Sequence, residues 1–546
     1  MRYLVQRTLA PLLDQSPDRN SRPLRVLDPA CGAGVFLAEA HRYLQQHDAK
    51  NGLSATASLT RQIFGIDIDA EALRAARGRL AELALNRDRP HFPRQLTALL
   101  KHLERNLPWG DALLEADAPR QDASAGPPAR NWTRTFPEVF QGANPGFDAV
   151  IGNPPYVNMR ILSRTRAPEL KQYLARRYQC AVGAYDLYVL FLERSFELLR
   201  AGGRCGMIVP NKIAAAEYAD RCRKLLLERS SLIEIVDVAD LRLFADAAVY
   251  PYLVIWEKQP ASSRHRVALV QARLAGDRIR ATQKRTVPQH RLSNTGRLSV
   301  SRTLAVEARS TTVPLTQCGE IHSGTTGFNA RKLADCLRER TAARGQAVLD
   351  FIVSGNIDRY RIHKGAVRFM SQLWNRPVLR ADCPLLSPRK RTLFAGPKIV
   401  VSGMSRRLEA AWDETGLALG VQVFAVADAE DPWYLLGLLN SRLLTYLFRT
   451  RFDARRLGGG FLSIHKGQLS QLPIRVNNPY RADVARTQRN IARLAERQTS
   501  LANENSPRSS TRRAAADREL DEHVYRLYEL KDREVTRVEQ QIAAEE

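Results

Sequence analysis

The feature that most constrains the fold of this chain is an apolar strand that runs into a glycine-containing turn and then into a helix. Residues 25–27 form the predicted strand, residues 28–34 (DPACGAG) the turn, and residues 35–44 the helix. Glycine lets a backbone turn sharply and approach a ligand where a Cβ would clash, beside the free N–H groups of a helix N-terminus. This arrangement predicts a cofactor turn. The alternative is that the glycines serve helix packing alone.

The first half of the chain continues this alternation of strands and helices. Further strands are predicted over residues 63–66, 147–151, 206–209, 232–238 and 249–256. The rhythm is typical of a parallel sheet with helices on both faces. We therefore predict an α/β, doubly wound Rossmann-like domain over residues 1–258, a linker or the start of the next domain over 259–310, an α+β domain over 311–480 and a charged helical tail over 481–546.

The charge balance points to a polyanionic partner. The chain has 83 Lys and Arg against 57 Asp and Glu, a formal net charge of +26, and its isoelectric point is about 10.2. Such an excess of positive charge is typical of proteins that bind nucleic acid. An arginine-rich composition without such a partner is the alternative.

Other features argue against a metal centre, a disulfide framework and membrane insertion. The seven cysteines are scattered, without a CxxC pair or a cluster of histidines. The N-terminal stretch has charges within its apolar part and no small-residue cleavage site, and no run of about 18 apolar residues occurs. We expect a soluble, cytoplasmic protein that contains no metal.

Acidic residues follow three of the predicted strands. The Asp28 carboxylate would repel a pyrophosphate and attract the ammonium group of a methionine moiety. Asp67 ends the segment IFGID, where a carboxylate can accept hydrogen bonds from both ribose hydroxyls of an adenosine, whereas Asp69 is better explained as the N-cap of the next helix. Asp111, after Gly110, either receives an adenine amino group or serves as a turn residue.

The segment Asn153-Pro154-Pro155-Tyr156 ends another apolar strand and predicts the chemistry most directly. An exocyclic amine conjugated to a purine ring is a poor nucleophile, so a site that methylates it must accept its two hydrogens. The Asn153 side-chain oxygen and the Pro154 carbonyl can do so, because two prolines fix φ and hold that carbonyl outward. Tyr156 offers a ring on which an extruded base can stack. A structural Pro-Pro turn is the alternative interpretation.

These motifs together resemble the γ-class DNA adenine-N6 methyltransferases, in particular the methylase portion of type II restriction-modification enzymes. The similarity covers most of the chain. Segments similar to those of the family follow one another in the same order as in the family, namely DPACGAG, GIDIDAEAL, GDAL, GFDAVIGNPPYV, YDLYVLFLERSFELLRAGG, IVPNK and LFADAAVYPYLVI. The resemblance implies a site-specific adenine methyltransferase of a bacterium or archaeon that uses S-adenosyl-L-methionine. It also implies base flipping in double-stranded DNA and a role in restriction-modification or phage defence.

The resemblance also assigns roles to residues. The cofactor would be held at its methionine end by Asp28, Ala30, Gly32 and Gly34, at its ribose by Asp67, and at its adenine by Asp111 and Phe147. The catalytic residues would be Asn153, Pro154, Pro155 and Tyr156. Phe244 would stack on the flipped base opposite Tyr156, and core packing explains Phe244 equally well.

The second half of the chain is similar to the target-recognition domain of the same family. The similar segments are SGTTGFNA, FIVSGNIDRYRI, KIVVSGMSRRLEA, LLGLLNSRLLTYLF and LGGGFLSIHKGQLSQLPI. Candidate DNA contacts within them are Arg359, Arg361, Lys398, Arg406, Arg407 and Lys466. A solvated surface charge is the alternative for each of them, and the sequence does not separate phosphate contacts from base contacts.

The sequence departs from the family pattern near its N-terminus. Related chains carry a tyrosine-rich segment ending in Thr-Pro upstream of the positions that match residues 2–13, and this segment helps to close the cofactor pocket. Its absence predicts either a start codon set downstream of the natural one or weakened cofactor binding. The short stretch before the cofactor strand also leaves no room for a nuclease domain. We therefore expect methylation without cleavage, with a separate restriction endonuclease as a further partner.

Two other functions fit the same motifs. Methyltransferases with an Asn-Pro-Pro-Tyr segment also act on protein glutamine and on purines of ribosomal RNA, because these substrates likewise present a planar amine. A DNA-specificity protein with a catalytically weakened methyltransferase core is the second alternative. The intact glycine turn and Asn-Pro-Pro-Tyr segment argue against the latter.

Overall fold

The structure of the chain is a computed structural model. It describes residues 1–14, 23–48, 52–85, 92–119, 127–159, 168–238, 251–276, 278–300, 304, 306, 311–325, 327–343, 347–452, 461–476, 482–504 and 507–543. The chain forms two compact units, Met1–Val300 and Ser301–Glu546.

The first unit alternates helices and strands, as its sequence pattern predicts. Its helices are α1 (Arg2–Asp14), α2 (Val35–Asp48), α3 (Ala55–Gln62), α4 (Ala70–Ala84), α5 (Phe92–Asn106), α6 (Trp132–Thr135), α7 (Pro137–Phe140), α8 (Pro168–Arg177), α9 (Tyr188–Leu198), α10 (Asp220–Arg229) and α11 (Gln289–Thr295). Its strands are β1 (Val26–Asp28), β2 (Ile63–Gly65), β3 (Phe147–Gly152), β4 (Leu199–Pro210), β5 (Ser231–Asp237), β6 (Pro251–Glu257), β7 (Arg266–Ala275) and β8 (Arg278–Pro288).

The eight strands form one sheet in the order β2-β1-β3-β4-β6-β5-β7-β8. Strands β2, β1, β3 and β4 pair in parallel, whereas β6 is antiparallel to both β4 and β5. The sheet is therefore mixed, not parallel throughout as the sequence rhythm suggested. A buried strand is apolar on both faces in either direction, so hydrophobic periodicity does not reveal its orientation.

Two hydrophobic cores cover the two faces of this sheet. Val26 and Ile63 point into one core with the apolar residues of α1, α2 and α4, and Leu27 and Phe64 point into the other with those of α9 and α10. Successive side chains of a strand point to opposite faces, so short, mostly apolar strands supply both cores. The predicted doubly wound α/β fold is confirmed.

The first unit extends beyond the boundary that the sequence predicted. Strands β7 and β8 form an antiparallel hairpin within residues 259–310, the segment expected to be a linker or the start of the next domain. β7 adds to β5 in parallel. Among the described strands, β8 pairs only with β7 and so lies at the edge of the sheet. Its sequence, RIRATQKRTVP, is rich in charge, as edge strands often are, and therefore does not show the pattern of a buried strand.

The second unit combines small sheets with helices. Its helices are α12 (Gly327–Cys336), α13 (Pro388–Ala395), α14 (Pro432–Leu439), α15 (Arg442–Arg451), α16 (Lys466–Leu469), α17 (Ala482–Ala502), α18 (Pro507–Leu527) and α19 (Asp532–Ala543). Its strands are β9 (Thr312–Pro314), β10 (Glu320–Ser323), β11 (Leu337–Glu339), β12 (Val348–Ile352), β13 (Ile357–Asp358), β14 (Arg361–Ile362), β15 (Val367–Phe369), β16 (Gln372–Trp374), β17 (Pro377–Arg380), β18 (Lys398–Ser402), β19 (Met404–Ser405), β20 (Ala410–Asp413), β21 (Leu417–Leu419), β22 (Val423–Ala427), β23 (Leu462–Ser463) and β24 (Pro473–Arg475).

Two four-stranded sheets form the body of this unit, in the orders β10-β22-β18-β20 and β11-β17-β12-β21. The charged tail, helices α17 to α19, packs into the core of the same unit and is not a separate appendage. Ile491 of α17 lies so close to α14 that a Cβ on Gly437 would stand 2.7 Å from its Cγ2. One amphipathic face of each tail helix supplies this packing, although the overall composition of the segment is polar.

No helix in the described ranges combines the length and the apolar character that a bilayer span requires. All seven cysteines are free thiols, and five of them are buried.

Candidate active site and specificity surface

The glycine turn lies where the strand order of the first unit reverses. From β1 the chain builds β2 on one side, and β3 lies on the other side. Ligands of open α/β sheets bind at the carboxyl ends of the strands that flank such a reversal. The residues at these ends are Asp28 of β1, the first residue of DPACGAG, and Gly152 of β3, which directly precedes the Asn-Pro-Pro-Tyr segment.

Two glycines of the turn adopt left-handed backbone conformations, but their surroundings differ. Gly32 has φ of +48°, and a Cβ built on it would meet no atom within 4 Å. Gly34 has φ of +73°, and its Cβ would stand 2.8 Å from the Cβ of Ala76 in α4. Gly34 therefore serves the close packing of α2 against α4, whereas the space at Gly32 is open to a ligand.

We expect Gly34→Ala to lower the free energy of unfolding by about 2–3 kcal/mol, because the new methyl group overlaps Ala76 and strains a left-handed residue. Urea denaturation measures the change. Gly78→Ala is the matched control, since a Cβ at Gly78 meets no atom within 4 Å and the residue lies inside helix α4. The control should be neutral or slightly stabilising. Equal losses in the two variants would show that Gly34 is not a packing glycine.

Asp28 is a buried carboxyl group, with 1% of its surface exposed. Its Oδ1 accepts a hydrogen bond from the Ala30 N–H at 3.1 Å. Within the described chain, no lysine, arginine or histidine forms an ion pair with it. Burial raises the pKa of Asp28 to about 8, and the negative charge of Asp67 adds to the effect. Such a carboxyl group is suited to pair with a cation.

Asp67 stands after the end of β2 and ties that end to the glycine turn. Its Oδ2 accepts a hydrogen bond from the Gly32 N–H at 2.7 Å, and its Oδ1 accepts one from the Asp69 N–H at 2.9 Å. Asp69 caps helix α4 through bonds from the N–H groups of Glu71 and Ala72, which confirms the prediction made for it. Asp28, Gly32 and Asp67 therefore line one edge of the sheet.

Two large apolar side chains beside Asp67 are exposed, and the sequence analysis missed both. Ile68 is 49% exposed and Trp109 is 38% exposed. Trp109 pairs with Asp67 in an isolated parallel bridge, and its indole N–H donates to the Ile68 carbonyl at 2.9 Å. Asp111 is buried and its Oδ1 accepts from the Leu113 N–H, as a turn residue does. In the sequence, the single apolar residue between the two acids of GIDID is the feature that could have identified Ile68 as an exposed apolar side chain.

The Asn-Pro-Pro-Tyr segment begins directly beside the glycine turn. A Cβ built on Gly152 would lie 2.6 Å from Oδ1 of Asp28, so this backbone position is in contact with the buried carboxyl group. Asn153 is the next residue. The two motifs, more than 120 positions apart in the sequence, thus meet at the adjacent carboxyl ends of β1 and β3.

The residues after the two prolines are held in a fixed conformation. Asn158 pairs with Asp186 in an antiparallel bridge, and its Nδ2 donates to the Asp186 carboxylate at 2.6 Å. The Tyr218 hydroxyl donates to the same carboxylate at 2.7 Å. Lys212, which follows β4, lies 3.8 Å from Asp186 and its side chain is about half exposed. Lys212 is a cation near the segment that the sequence analysis recognised only as part of the block IVPNK.

One predicted aromatic contact, Phe147, does not lie at this edge. Phe147 is fully buried in a cluster with Phe64, Phe136 and Phe140. It is the first residue of β3, about 16 Å along the strand from Gly152 at the usual rise per residue. Phe147 is therefore a core residue and does not line the crevice at the carboxyl ends of the strands. Phe244 lies outside the described residues.

In the second unit, two of the predicted DNA contacts have structural partners. The Lys398 side chain is completely buried and donates to Asp413 and to two carbonyl groups at the end of α13. The Arg359 guanidinium forms a two-pronged pair with Asp517 of α18, with both distances at 2.9 Å. A buried charge is stable only when it is paired, so these two residues hold the unit together and do not face solvent.

The other predicted contacts lie at or near the surface. Lys466 and Arg406 are exposed, and Arg361 and Arg407 are half-buried. The Arg406 guanidinium lies over the ring of Phe461, 5.7 Å from its centre. A cavity of about 460 Å³ opens beside Lys466 and is also lined by Arg389, Lys390, His322 and Ser387. No periodic pattern in the sequence points to Arg389 and Lys390, which meet Lys466 only in the folded unit.

Comparisons with known proteins agree with this division of the chain. Residues 61–244 match the family model described as Eco57I restriction-modification methylase, and residues 351–474 match the TaqI-like C-terminal specificity domain. The chain therefore carries a restriction-modification methylase domain followed by a specificity domain. The expected relationship to type II restriction-modification methylases is confirmed.

Several curated relatives share part of the chain. The type II restriction enzyme and methyltransferase RM.Eco57I of Escherichia coli is 27% identical over 256 residues, which are 42% of this chain and 24% of that protein. The type II methyltransferase M.BanIII of Aneurinibacillus aneurinilyticus is 28% identical over 246 residues, 45% of this chain and 35% of that protein. The matches thus span about a quarter to a third of the relatives' own length.

Solved structures share the fold over nearly the whole chain. The type IIL restriction-modification enzyme MmeI in complex with DNA superposes with a TM-score of 0.55 at 13% identity, covering 97% of this chain and 74% of that one. The type ISP restriction-modification enzyme LlaBIII bound to DNA gives a TM-score of 0.53 at 10% identity, covering 93% and 39%. Identities this low establish the fold.

Proposed function

We propose that the first unit transfers a methyl group from S-adenosyl-L-methionine to the N6 atom of adenine in double-stranded DNA, and that the second unit selects the DNA site. The observation that carries this proposal is the contact between Gly152 and the Asp28 carboxyl group. It sets the Asn-Pro-Pro-Tyr segment directly beside the glycine turn. The matching methylase and specificity domains support the same function.

The residues at the crevice fit this cofactor. Asp28 is a buried carboxyl group without a cationic partner among the described residues, which suits the ammonium group of the methionine end. The space at Gly32 admits a ligand close to the backbone. Asp67 would accept hydrogen bonds from the ribose hydroxyls, and the exposed side chains of Ile68 and Trp109 offer apolar surfaces to an adenine ring. When bound, the cofactor supplies a methyl group activated by a sulfonium.

The protein's own part in the reaction is to hold the amine. The Asn153 Oδ1 and the Pro154 carbonyl each accept a hydrogen bond from one N–H of the target amine. These bonds make the lone pair of the nitrogen less conjugated with the purine ring and direct it toward the methyl group. Neither proline has an N–H, so the backbone presents only acceptors at this point. As the new N–C bond forms, the S–C bond of the sulfonium would break and leave a neutral thioether. The methylated nitrogen then releases one proton to solvent, and no covalent enzyme intermediate is needed.

A base inside a duplex cannot reach this segment, so we propose that the target adenine leaves the stack and packs on the Tyr156 ring. The Tyr156 ring is held by an edge-on contact with Tyr188, with 6.5 Å between ring centres. Lys212, half exposed at the same edge, is suited to a phosphate of the extruded nucleotide. A separate restriction endonuclease would complete a restriction-modification pair.

Competition among substrates tests the proposal. The chain is incubated with S-adenosylmethionine labelled in its methyl group and with unmethylated genomic DNA, ribosomal RNA and bulk protein. We expect the label in DNA. Label found only in RNA or only in protein would replace this proposal with the corresponding alternative substrate. DNA binding without bound cofactor would indicate a specificity protein with an inactive core.

We expect Lys466→Ala to weaken DNA binding about threefold to tenfold near 0.1 M salt and to lower the salt dependence of the affinity by about one released ion. The reason is the loss of a cation from the cavity that it shares with Arg389 and Lys390. Fluorescence anisotropy across a salt series gives both quantities. Arg380→Ala is the control, since Arg380 is equally exposed but pairs with Asp382 outside this cavity. Equal losses would mean that net charge alone governs binding.

A further inference from the structure

Among the described residues, two oxygen atoms lie within hydrogen-bond distance of the Tyr156 hydroxyl, which has only one proton. It lies 2.5 Å from the side-chain oxygen position of Asn153 and 3.1 Å from the backbone carbonyl oxygen of Ile208. A phenol donates a single hydrogen bond and can also accept one. It therefore donates to only one of these two neighbours, and the other contact needs a donor of its own.

The backbone decides which neighbour takes the proton. Strands β3 and β4 pair in parallel as far as Gly152 and Met207, and Ile208 is the next residue of β4. After β3 ends at Gly152, the next residues that could donate a backbone hydrogen bond toward the Ile208 carbonyl include Pro154 and Pro155. These two prolines have no N–H to donate. The Ile208 carbonyl lies past the last β3–β4 pair, on a buried residue, so it needs a donor other than the β3 backbone. The Tyr156 hydroxyl is within reach to supply it.

The Asn153 amide completes the arrangement when its nitrogen faces Tyr156. The oxygen and nitrogen of a side-chain amide occupy nearly equivalent positions, and the surrounding hydrogen bonds decide which atom stands where. With Nδ2 toward Tyr156, the amide donates to the phenol oxygen, and the phenol donates to the Ile208 carbonyl. Each polar atom then has a matching partner. The Asn153 Oδ1 points away from Tyr156 and is free to accept from another group.

We infer that the Tyr156 hydroxyl, anchored by the Ile208 carbonyl, orients the Asn153 amide so that its oxygen faces the target amine. Tyr156 is in this respect a positioning residue, in addition to its ring's role in stacking. The opposite orientation would set the amide N–H₂ against the amine, two donors facing each other. This inference rests on the proposed function for its consequence in catalysis, but the hydrogen-bond arrangement itself holds without any substrate.

The surroundings keep the hydroxyl in place and protonated. The Tyr156 ring packs against Tyr188, whose hydroxyl is 3.2 Å from that of Tyr218, and Tyr218 is bound to Asp186. Burial raises the pKa of Tyr156 above its ordinary value, so the proton is retained at physiological pH. The phenol therefore remains a donor to the Ile208 carbonyl throughout the working range.

A double-mutant cycle measures the orienting effect. Tyr156→Phe keeps the ring and removes the hydroxyl, and we expect kcat to fall about tenfold while the KM for DNA stays unchanged, as for the loss of one oriented hydrogen bond. Asn153→Asp replaces the amide with a carboxylate whose two oxygens are equivalent, so orientation no longer matters. In that background Tyr156→Phe should change kcat less than twofold. Equal losses in both backgrounds, or no loss beside Asn153, would overturn the inference.

Neutron diffraction on crystals of the deuterated chain determines the orientation of the Asn153 amide directly. The measurement does not depend on methyl-transfer activity. We expect both Asn153 amide deuterons on the atom nearest Tyr156 and the Tyr156 deuteron pointing to the Ile208 carbonyl. A Tyr156 deuteron that points to Asn153 would refute the inference. Because no substrate is present, this result is independent of whether the methyl acceptor is DNA, so a failure of the proposed function is seen separately in the methyl-transfer assay.

Discussion

Asn153→Ala should lower methyl transfer by about a thousandfold or more while DNA binding stays largely intact. Under the proposed function, the variant removes the acceptor for one hydrogen of the target amine, and interactions of this kind contribute mainly in the transition state. The Pro154 carbonyl remains but cannot free the amine lone pair alone. Transfer of a labelled methyl group measures turnover, and a gel-shift assay measures DNA binding.

The matched control for this variant is Asn144→Ala. Asn144 precedes β3 at the opposite end of the strand, where its side chain bonds the backbone of Ala201. It should leave turnover within about twofold of the parent, since surface substitutions away from special features change stability little. Normal turnover by Asn153→Ala would refute the role of the Asn-Pro-Pro-Tyr segment, and a large loss in Asn144→Ala would point to general damage to the sheet.

Asp28→Asn should stabilise the folded chain and, at the same time, abolish measurable cofactor binding. A carboxyl group with an ordinary pKa of 3.8 and a folded value of about 8 opposes folding at pH 7 by up to about 4 kcal/mol. The neutral amide removes this penalty and keeps the shape. It also removes the charge that attracts the ammonium group of the cofactor. Chemical denaturation measures the first effect and calorimetric titration the second.

The contribution of Asp28 to the stability of the parent chain becomes less favourable as the pH rises. The folded state holds the Asp28 proton more tightly than the unfolded state, so the penalty is absent below about pH 4, grows as the pH rises toward 8 and is constant above it. Cofactor binding needs the ionised carboxyl group and the protonated ammonium group, so the affinity should rise up to about pH 8 and fall above it as the α-amino group of the cofactor loses its proton. The control Asp69→Asn preserves the cap of α4 and should change neither property. Cofactor affinity that falls between pH 6 and 8 would contradict this assignment.

The sequence was sufficient to predict those parts of the fold and site that depend on local pattern. The glycine turn after β1, the acid after β2 and the cap at Asp69 each follow from a few neighbouring residues whose backbone requirements are specific. The contact between Asp28 and Gly152 also follows, once two parallel strands are placed side by side, because both motifs stand at carboxyl ends.

Other features depend on partners far away in the sequence. Arg359 and Lys398 look like surface cations until Asp517 and Asp413 are brought to them by the fold. Phe147 is the first residue of β3, and Asn153 directly follows its last residue. The two residues are close in sequence, but the length of the strand separates them in space. The β7–β8 hairpin was missed because an edge strand with one solvated side resembles a polar linker in composition.

The proposed function requires that the Asn-Pro-Pro-Tyr segment, set beside the glycine turn, methylates the exocyclic amine of adenine in DNA. Mass spectrometry of nucleosides tests it most directly, with DNA taken from methylation-deficient cells that express either the parent chain or Asn153→Ala. We predict N6-methyldeoxyadenosine in the first sample and its absence from the second. Methylated cytosine instead, or equal amounts of N6-methyldeoxyadenosine in the two samples, would contradict the claim.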